Sequence, residues 1–186
     1  ELSEILRVRR EKLESLRETG SDPFLLTRYD KTHSSVQVIS DFEALEGQTV
    51  SVAGRILSKR IMGKACFAHI QDETGQLQLY VRLDMMGEEP YAQFKKMDIG
   101  DIIGVKGYVF RTKMGEISVH VEEFTLLCKS VMPLPIVKEK DGQVFDAFTD
   151  PDLRYRNRSV DMIVNPHVKE VFRKRTLLTN TMRNFL

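Results

Sequence analysis

Between Gly47 and Leu127, apolar residues recur at every second position in five separate segments, and few folds can use that pattern. A period of two sends alternate side chains to opposite faces of a strand, so each segment buries one face and wets the other. From Lys64 to Gln71, the inward set is Cys66, Ala68 and Ile70, while Phe67, His69 and Gln71 face out. From Gln76 to Arg82, Leu77, Leu79 and Val81 turn inward and leave Gln78 and Tyr80 outside. Val50, Val52 and Ile56 define an earlier strand. Ile103, Val105 and Val109 alternate with Lys106, Tyr108 and Phe110 in a fourth, and Ile117, Val119 and Val121 stand opposite Glu116, Ser118, His120 and Glu122 in a fifth. The turns Asp72-Glu73-Thr74-Gly75 and Thr112-Lys113-Met114-Gly115 separate neighbouring strands.

A short helix opened by Pro90 and closed by Gly100, carrying Tyr91, Phe94 and Met97, falls between the third and fourth strands. Five strands with one helix in that place is the order of the OB-fold, a partly open barrel whose second and third strands form the ligand face. An immunoglobulin-like sandwich would need about seven strands and has no place for the helix. Glycines 54, 104 and 107, inside strands, suit the sharp coiling of a small barrel.

The outward residues of the second and third strands carry the functional argument. Phe67 lies beside Gln78 and Tyr80, and Arg60 stands in a predicted loop, Ser58 to Gly63, just before the second strand. Such a set can surround one base, with the ring on its face, an amide able to donate and accept, and a guanidinium near the phosphate or the base edge. Glu116, at the start of the last strand, can accept from the ring N–H of an adjacent base. Two readings fit Phe67: a ring offered to solvent, or one tucked under the Ser58–Gly63 loop. Glu116 reads equally as an exposed turn carboxylate.

With 41% hydrophobic and 30% charged residues among 186, the chain can fill one core and a small annexe. The net charge of +1 hides a basic helix over residues 2–19, in which Arg7, Arg9, Arg10, Lys12 and Arg17 accompany an apolar set of Leu2, Ile5, Leu6, Leu13 and Leu16. Arg7, Arg10 and Arg17, with Lys64, are candidate contacts to a nucleic-acid backbone. The alternative is a solvated face paired with Glu11, Glu14 and Glu18. Residues 21–46 hold a short apolar run, Val36 to Ile39, and a single helical turn near Asp41 to Leu45.

Residues 129–150, with Pro133, Pro135 and the charged stretch Lys138 to Asp141, read as a linker without elements of its own. Beyond it, Asn165 is expected to cap and Pro166 to start a helix. Its stripe of Val168, Val171, Phe172, Leu178, Met182, Phe185 and Leu186 needs a covering surface: the barrel, further sequence or another subunit. The chain opens on Glu1 and reaches Leu186 within a helical pattern, so it is expected to be a piece of something larger.

No apolar run approaches the roughly 18 residues of a membrane span, and no secretory signal order is present, which predicts a cytoplasmic protein without membrane contact. Cys66 and Cys128 lack CxxC spacing and read as reduced thiols. His33, His69, His120 and His167 are too scattered for a metal site. Gly63-Lys64 lacks the earlier glycine and following hydroxyl of a phosphate loop, and Asn157-Arg158-Ser159 is a sequon that a cytosolic chain would not use. No nucleophile elbow is present, so no catalytic residue is expected here.

Three stretches carry a family resemblance. VAGRILSKRIMGKACFAHIQDETGQLQLYV from Val52 and FKKMDIGDIIGVKGYVFRTKMGEIS from Phe94 resemble the anticodon-binding barrel of bacterial-type class II lysyl-tRNA synthetases. DPDLRYRNRSVDMIVNP from Asp150, followed by FRKRTLLTNTMRNFL, is similar to the start of that family's catalytic domain. The barrel is shared with aspartyl and asparaginyl synthetases, but RYRNRSVDMIVN and RIMGKA favour the lysyl branch. The resemblance covers nearly the whole chain and implies a lead-in at 1–46, an OB-fold anticodon-binding domain at 47–128, a linker at 129–150, and at 151–186 the beginning of a catalytic domain with its first signature helix.

In the family, the central anticodon uridine stacks on the phenylalanine that aligns with Phe67. Arg60 and Gln78 match its neighbours, and Glu116 aligns with a glutamate near the first anticodon base. The resemblance further implies a homodimeric parent that activates lysine with ATP and Mg2+ and joins it to tRNA. The second and third signature motifs, the lysine pocket and the magnesium ligands are missing from these 186 residues, so the chain alone is expected to bind the tRNA(Lys) anticodon stem-loop, to hold no cofactor and to catalyse nothing. One departure is Ser159-Val160, where the family usually has Tyr-Leu. The competing reading is a free-standing OB-fold module for single-stranded nucleic acid or a protein.

Overall fold

The computed structural model describes residues 2–135, 138–140, 143–145 and 148–186. They fall into two compact units, Glu1–Pro133 and Leu134–Leu186. In the first, five strands close a barrel in the order β1-β2-β3-β5-β4: β1 (Thr49–Met62), β2 (Ala65–Gln71), β3 (Gln76–Arg82), β4 (Ile102–Arg111) and β5 (Ile117–Cys128). Parallel pairing of β3 with β5 seals the barrel. This is the OB-fold topology expected from the strand order.

Strand β1 serves two neighbours because it is long. Its first half, Thr49 to Arg55, pairs with β4, and its second, Arg55 to Met62, pairs with β2, with a register shift between Ile56 and Ser58 where the strand bends. Close approach there explains one glycine: a Cβ on Gly54 would lie 2.9 Å from the Gln71 carbonyl oxygen. Gly107 is required more strictly, since its Cβ would stand 2.0 Å from the His120 carbonyl oxygen, beside the β4–β5 register shift. The inward alternation fills the interior with Val52, Ile56, Ile70, Leu79, Ile103, Val105, Val119 and Val121, all fully buried.

The loop expected from Ser58 to Gly63 does not exist. Those residues to Met62 continue β1 and pair with β2, so the hairpin tip is Gly63-Lys64, with Gly63 at φ 60°. The sequence hid this because the extension buries no apolar side chain. Lys59 fills the inner position instead and donates to the carbonyls of Lys95 and Met97 at the end of a helix, while burial pushes its ammonium pKa below the usual lysine range.

Helices plug the barrel ends. Between β3 and β4 lie α4 (Leu83–Met86) and α5 (Glu88–Lys96), which sink Tyr91 and Phe94 into the core; α5 starts two residues before Pro90. At the other side, α2 (Ser35–Ser40) and α3 (Phe42–Leu45) bury Val38 and Phe42. Asp72, in the β2–β3 turn, accepts from the amides of Ser35, Thr74 and Gly75, tying α2 to that turn.

Helix α1 (Leu2–Glu18) forms as its periodicity predicts, but its arginine-rich face is divided. Arg9 is buried and donates to the carbonyls of Ser130 (2.8 Å), Ile99 (3.1 Å) and Met132 (3.2 Å). Lys12 pairs with Asp98 at 2.7 Å, beside a buried Lys129–Asp101 ion pair. These two cations dock the helix on the barrel; Arg7, Arg10 and Arg17 stay exposed.

In the second unit, the presumed linker contains a two-stranded antiparallel ribbon, β6 (Lys138–Lys140) with β7 (Gln143–Phe145). Within 129–150, residues 136–137, 141–142 and 146–147 lie outside the described residues. Then come α6 (Pro151–Arg156), α7 (Arg158–Val164) and α8 (Pro166–Phe185). Pro166 opens α8 as expected, yet Asn165 makes no side-chain cap: its amide donates instead to Asp161 at 2.8 Å. Fully buried Asp161 also receives Arg154 and Arg158, and although burial opposes its ionisation, these donors hold its pKa below the usual carboxylate range. Val168 is buried, while Val171, Leu178, Met182 and Phe185 of the α8 stripe are exposed.

Candidate nucleic-acid interface

Strand register sets the outer face in two cross-strand rows. One runs Arg60 (β1), Phe67 (β2), Tyr80 (β3), His120 (β5), Tyr108 (β4). The next runs Ser58, His69, Gln78, Ser118, Phe110 on the same strands. The first row is mostly rings and the second mostly hydrogen-bonding groups, so an aromatic surface lies beside a polar one.

Phe67 is half-buried and stacks on Tyr80 with centroids 4.7 Å apart and planes 29° from parallel. Tyr80 therefore backs one face of the Phe67 ring. On the other side its row neighbour is the exposed Arg60, which stands opposite Phe67 on β1 and not on a loop. The expected Ser58–Gly63 loop does not fold over the ring, because Ser58 to Met62 run beside β2 as strand.

The polar row is wired together. Ser118 Oγ donates to Gln78 Oε1 at 2.7 Å, and Gln78 Nε2 donates to Glu116 Oε2 at 2.5 Å. The other oxygen of Glu116 lies 3.0 Å from His69 Nε2, and His69 Nδ1 lies 3.0 Å from Ser58 Oγ. Gln78 is 8% exposed, whereas the Glu116 side chain is half exposed. Gln78 and Glu116 thus come together as one unit, diagonal to Phe67, rather than as separate contacts.

Ser118 and His120, expected on the open face, are buried. They point outward by strand parity, but the rings of Tyr80, Tyr108 and Phe110 close over them: His120 lies flat on Tyr108 (4.8 Å, 6°) and edge-on to Tyr80 at 5.1 Å. Burial, reinforced by the Arg82 charge, pushes the His120 imidazole pKa below its ordinary value, and its Nδ1 has no partner. The sequence signal for this cluster was Tyr108 and Phe110 two apart on the polar side of β4, opposite His120.

The remaining candidates are less tightly placed. Lys64 is exposed at the β1–β2 hairpin tip. Arg7 pairs with Glu4 (2.8 Å) and Glu11 (3.2 Å) at the surface, and Arg17 with the exposed Glu14 (2.8 Å) and the partly buried Asp22 (3.1 Å). Arg10 is exposed, and none of Arg7, Arg10 and Arg17 hydrogen-bonds to either row. Among the described residues no group of three His, Cys, Asp or Glu side chains converges as a metal ion requires, and no helix is long and apolar enough to cross a membrane. Chemically, the face offers a backed ring, a guanidinium, an oriented amide and a carboxylate, a set able to stack on a planar base and hydrogen-bond its edge.

Residues 50–127 match the tRNA anti-codon family, described as an OB-fold nucleic acid binding domain. The chain is 52% identical over 194 aligned residues to a lysine–tRNA ligase of Porphyromonas gingivalis, covering all of this chain and 34% of that protein. It is 50% identical over 186 residues to one from Thermoanaerobacter sp. (100% and 36% covered) and 46% over 184 residues to one from Clostridium botulinum (99% and 35%). The chain spans about a third of the length of these curated relatives.

Proposed function

We propose that the barrel reads the anticodon loop of tRNA(Lys), a reading supported by the match of residues 50–127 to the tRNA anti-codon family of OB-fold nucleic acid binding domains and by the end-to-end similarity of the chain to part of several lysine–tRNA ligases. The observation that carries this is the Phe67 ring, backed by Tyr80 on one face and with Arg60 opposite it on β1, beside the Gln78–Glu116 unit. The central anticodon base lies on the open face of Phe67, Arg60 meets its phosphate or edge, Gln78 reads its hydrogen-bonding edge, and Glu116 accepts from the neighbouring base. Arg7, Arg10, Arg17 and Lys64 supply contacts to the tRNA backbone.

The parent protein activates lysine with ATP and Mg2+ and transfers it to tRNA(Lys), acting in the cytoplasm as a homodimer. Within it, residues 1–46 lead into the barrel of residues 47–128, and residues 151–186 begin the catalytic domain. Stacking of one base on an aromatic side chain contributes about 1–3 kcal/mol. Phe67→Ala therefore weakens binding of a stem-loop with a central uridine by roughly 5- to 150-fold in fluorescence anisotropy. An unchanged affinity removes the stacking role. A general single-strand binder would keep its affinity when the central base is changed, so competition between the two loops separates that reading from an anticodon reader.

A further inference from the structure

Resting on the anticodon reading, we propose that His69 is a positioning residue: by donating to Glu116 it holds the carboxylate that decides which end of the Gln78 amide faces which side of the bound base. Glu116 is the anchor because an ionised carboxylate only accepts. Facing it at 2.5 Å, Gln78 must present Nε2, since the reversed amide would set carbonyl oxygen against carboxylate. Its Oε1 is then free to accept from Ser118 Oγ at 2.7 Å, inside a fully buried residue that cannot swing away.

The same logic fixes His69. To meet Glu116 Oε1 at 3.0 Å it must carry a proton on Nε2; in the neutral ring Nδ1 then accepts from Ser58 Oγ. One carboxylate thereby sets the direction of four hydrogen bonds across β1, β2, β3 and β5. Because Glu116 sits half exposed at the end of the β4–β5 turn, loss of the His69 donor leaves it held by Gln78 alone.

The consequence is base selectivity. With the amide locked, Gln78 offers its second N–H on the Glu116 side and its second lone pair on the Ser118 side. Uracil presents an acceptor, O4, next to a donor, N3–H; cytosine presents the reverse order, an amino donor next to an acceptor. An amide of fixed polarity accepts one order and opposes the other, whereas an amide free to flip accepts both.

Two experiments on the 186-residue chain decide the matter. Long-range proton–nitrogen NMR of the histidine rings should find His69 as the Nε2–H tautomer; an Nδ1–H ring would overturn the proposal without involving RNA. In titrations with stem-loops carrying a central uridine or cytidine, His69→Ala should lose roughly three- to tenfold of its uridine-over-cytidine preference. His69→Gln, which can return an N–H to Glu116, should recover most of it. Unchanged preference in His69→Ala, with preference lost in Gln78→Ala, rejects the positioning role and leaves the anticodon reading standing. If Phe67→Ala and Gln78→Ala also bind as before, both fall together. Should His69→Ala unfold, the tautomer measurement on the unaltered chain still decides.

Discussion

Replacing Asp72 with Ala should loosen the turn between β2 and β3, and the cost should depend on pH. Desolvation opposes ionisation of Asp72, but the amides of Ser35, Gly75 and Thr74 and the Thr74 hydroxyl outweigh it and bring the carboxyl from its ordinary 3.8 to about 2. At about 1.36 kcal/mol per pH unit, that difference sets a ceiling near 2.5 kcal/mol. Solvent reaches part of this carboxylate, so screening brings the expected value to about 1–1.5 kcal/mol. The native pKa is depressed, so the contribution is complete above roughly pH 5 and lost as pH falls from about 4 toward 2. Urea unfolding followed by circular dichroism, on wild type and Asp72→Ala at pH 7 and pH 2.5, should show a gap that narrows in acid. A gap of equal size at both values would refute the assignment, because it would mean that the charge on Asp72 does nothing for the fold.

Two other substitutions probe the frame. Gly107→Ala has no room, with the new Cβ 2.0 Å from the His120 carbonyl oxygen, and should cost about 3 kcal/mol or more, read as a large drop in the thermal midpoint. Arg9→Lys removes the planar fork that reaches Ser130, Ile99 and Met132 at once, so α1 should detach and lose amide-exchange protection while the barrel strands keep theirs; equal protection in both proteins would show that the helix docks by other means.

The barrel was legible because its inward residues recur at every second position: the parity of Cys66–Phe67–Ala68 survives in the burial pattern of β2, and Leu77, Leu79 and Val81 are buried in β3, although Gln78 between them is buried as well. The extension of β1 to Met62 was not, since a stretch that buries no apolar side chain leaves no hydrophobic period to read. Phe67 could be placed beside Gln78 and Tyr80 from sequence, but Glu116 could only be named separately. Parity says which way a side chain points; only register says that His69 and Gln78 share Glu116. Ser118 and His120 illustrate the limit from the other side: correct parity, yet buried, because bulky rings on β3 and β4 lean over a small and a flat neighbour. Likewise Arg9 and Arg10 are indistinguishable by composition, and only the position of the Ser130 and Ile99 carbonyls makes one a clamp and leaves the other in solvent. The Asp150-Pro151 pair that caps and opens α6 was a readable helix start.

The most direct measurement is the NMR spectrum of the chain bound to a stem-loop with a single labelled central uridine. If the base lies on Phe67, its H5 and H6 protons move upfield under the ring current and show cross-peaks to the Phe67 ring, and both signs disappear in Phe67→Leu. A uridine whose resonances stay at their free positions in a saturated complex would contradict the account.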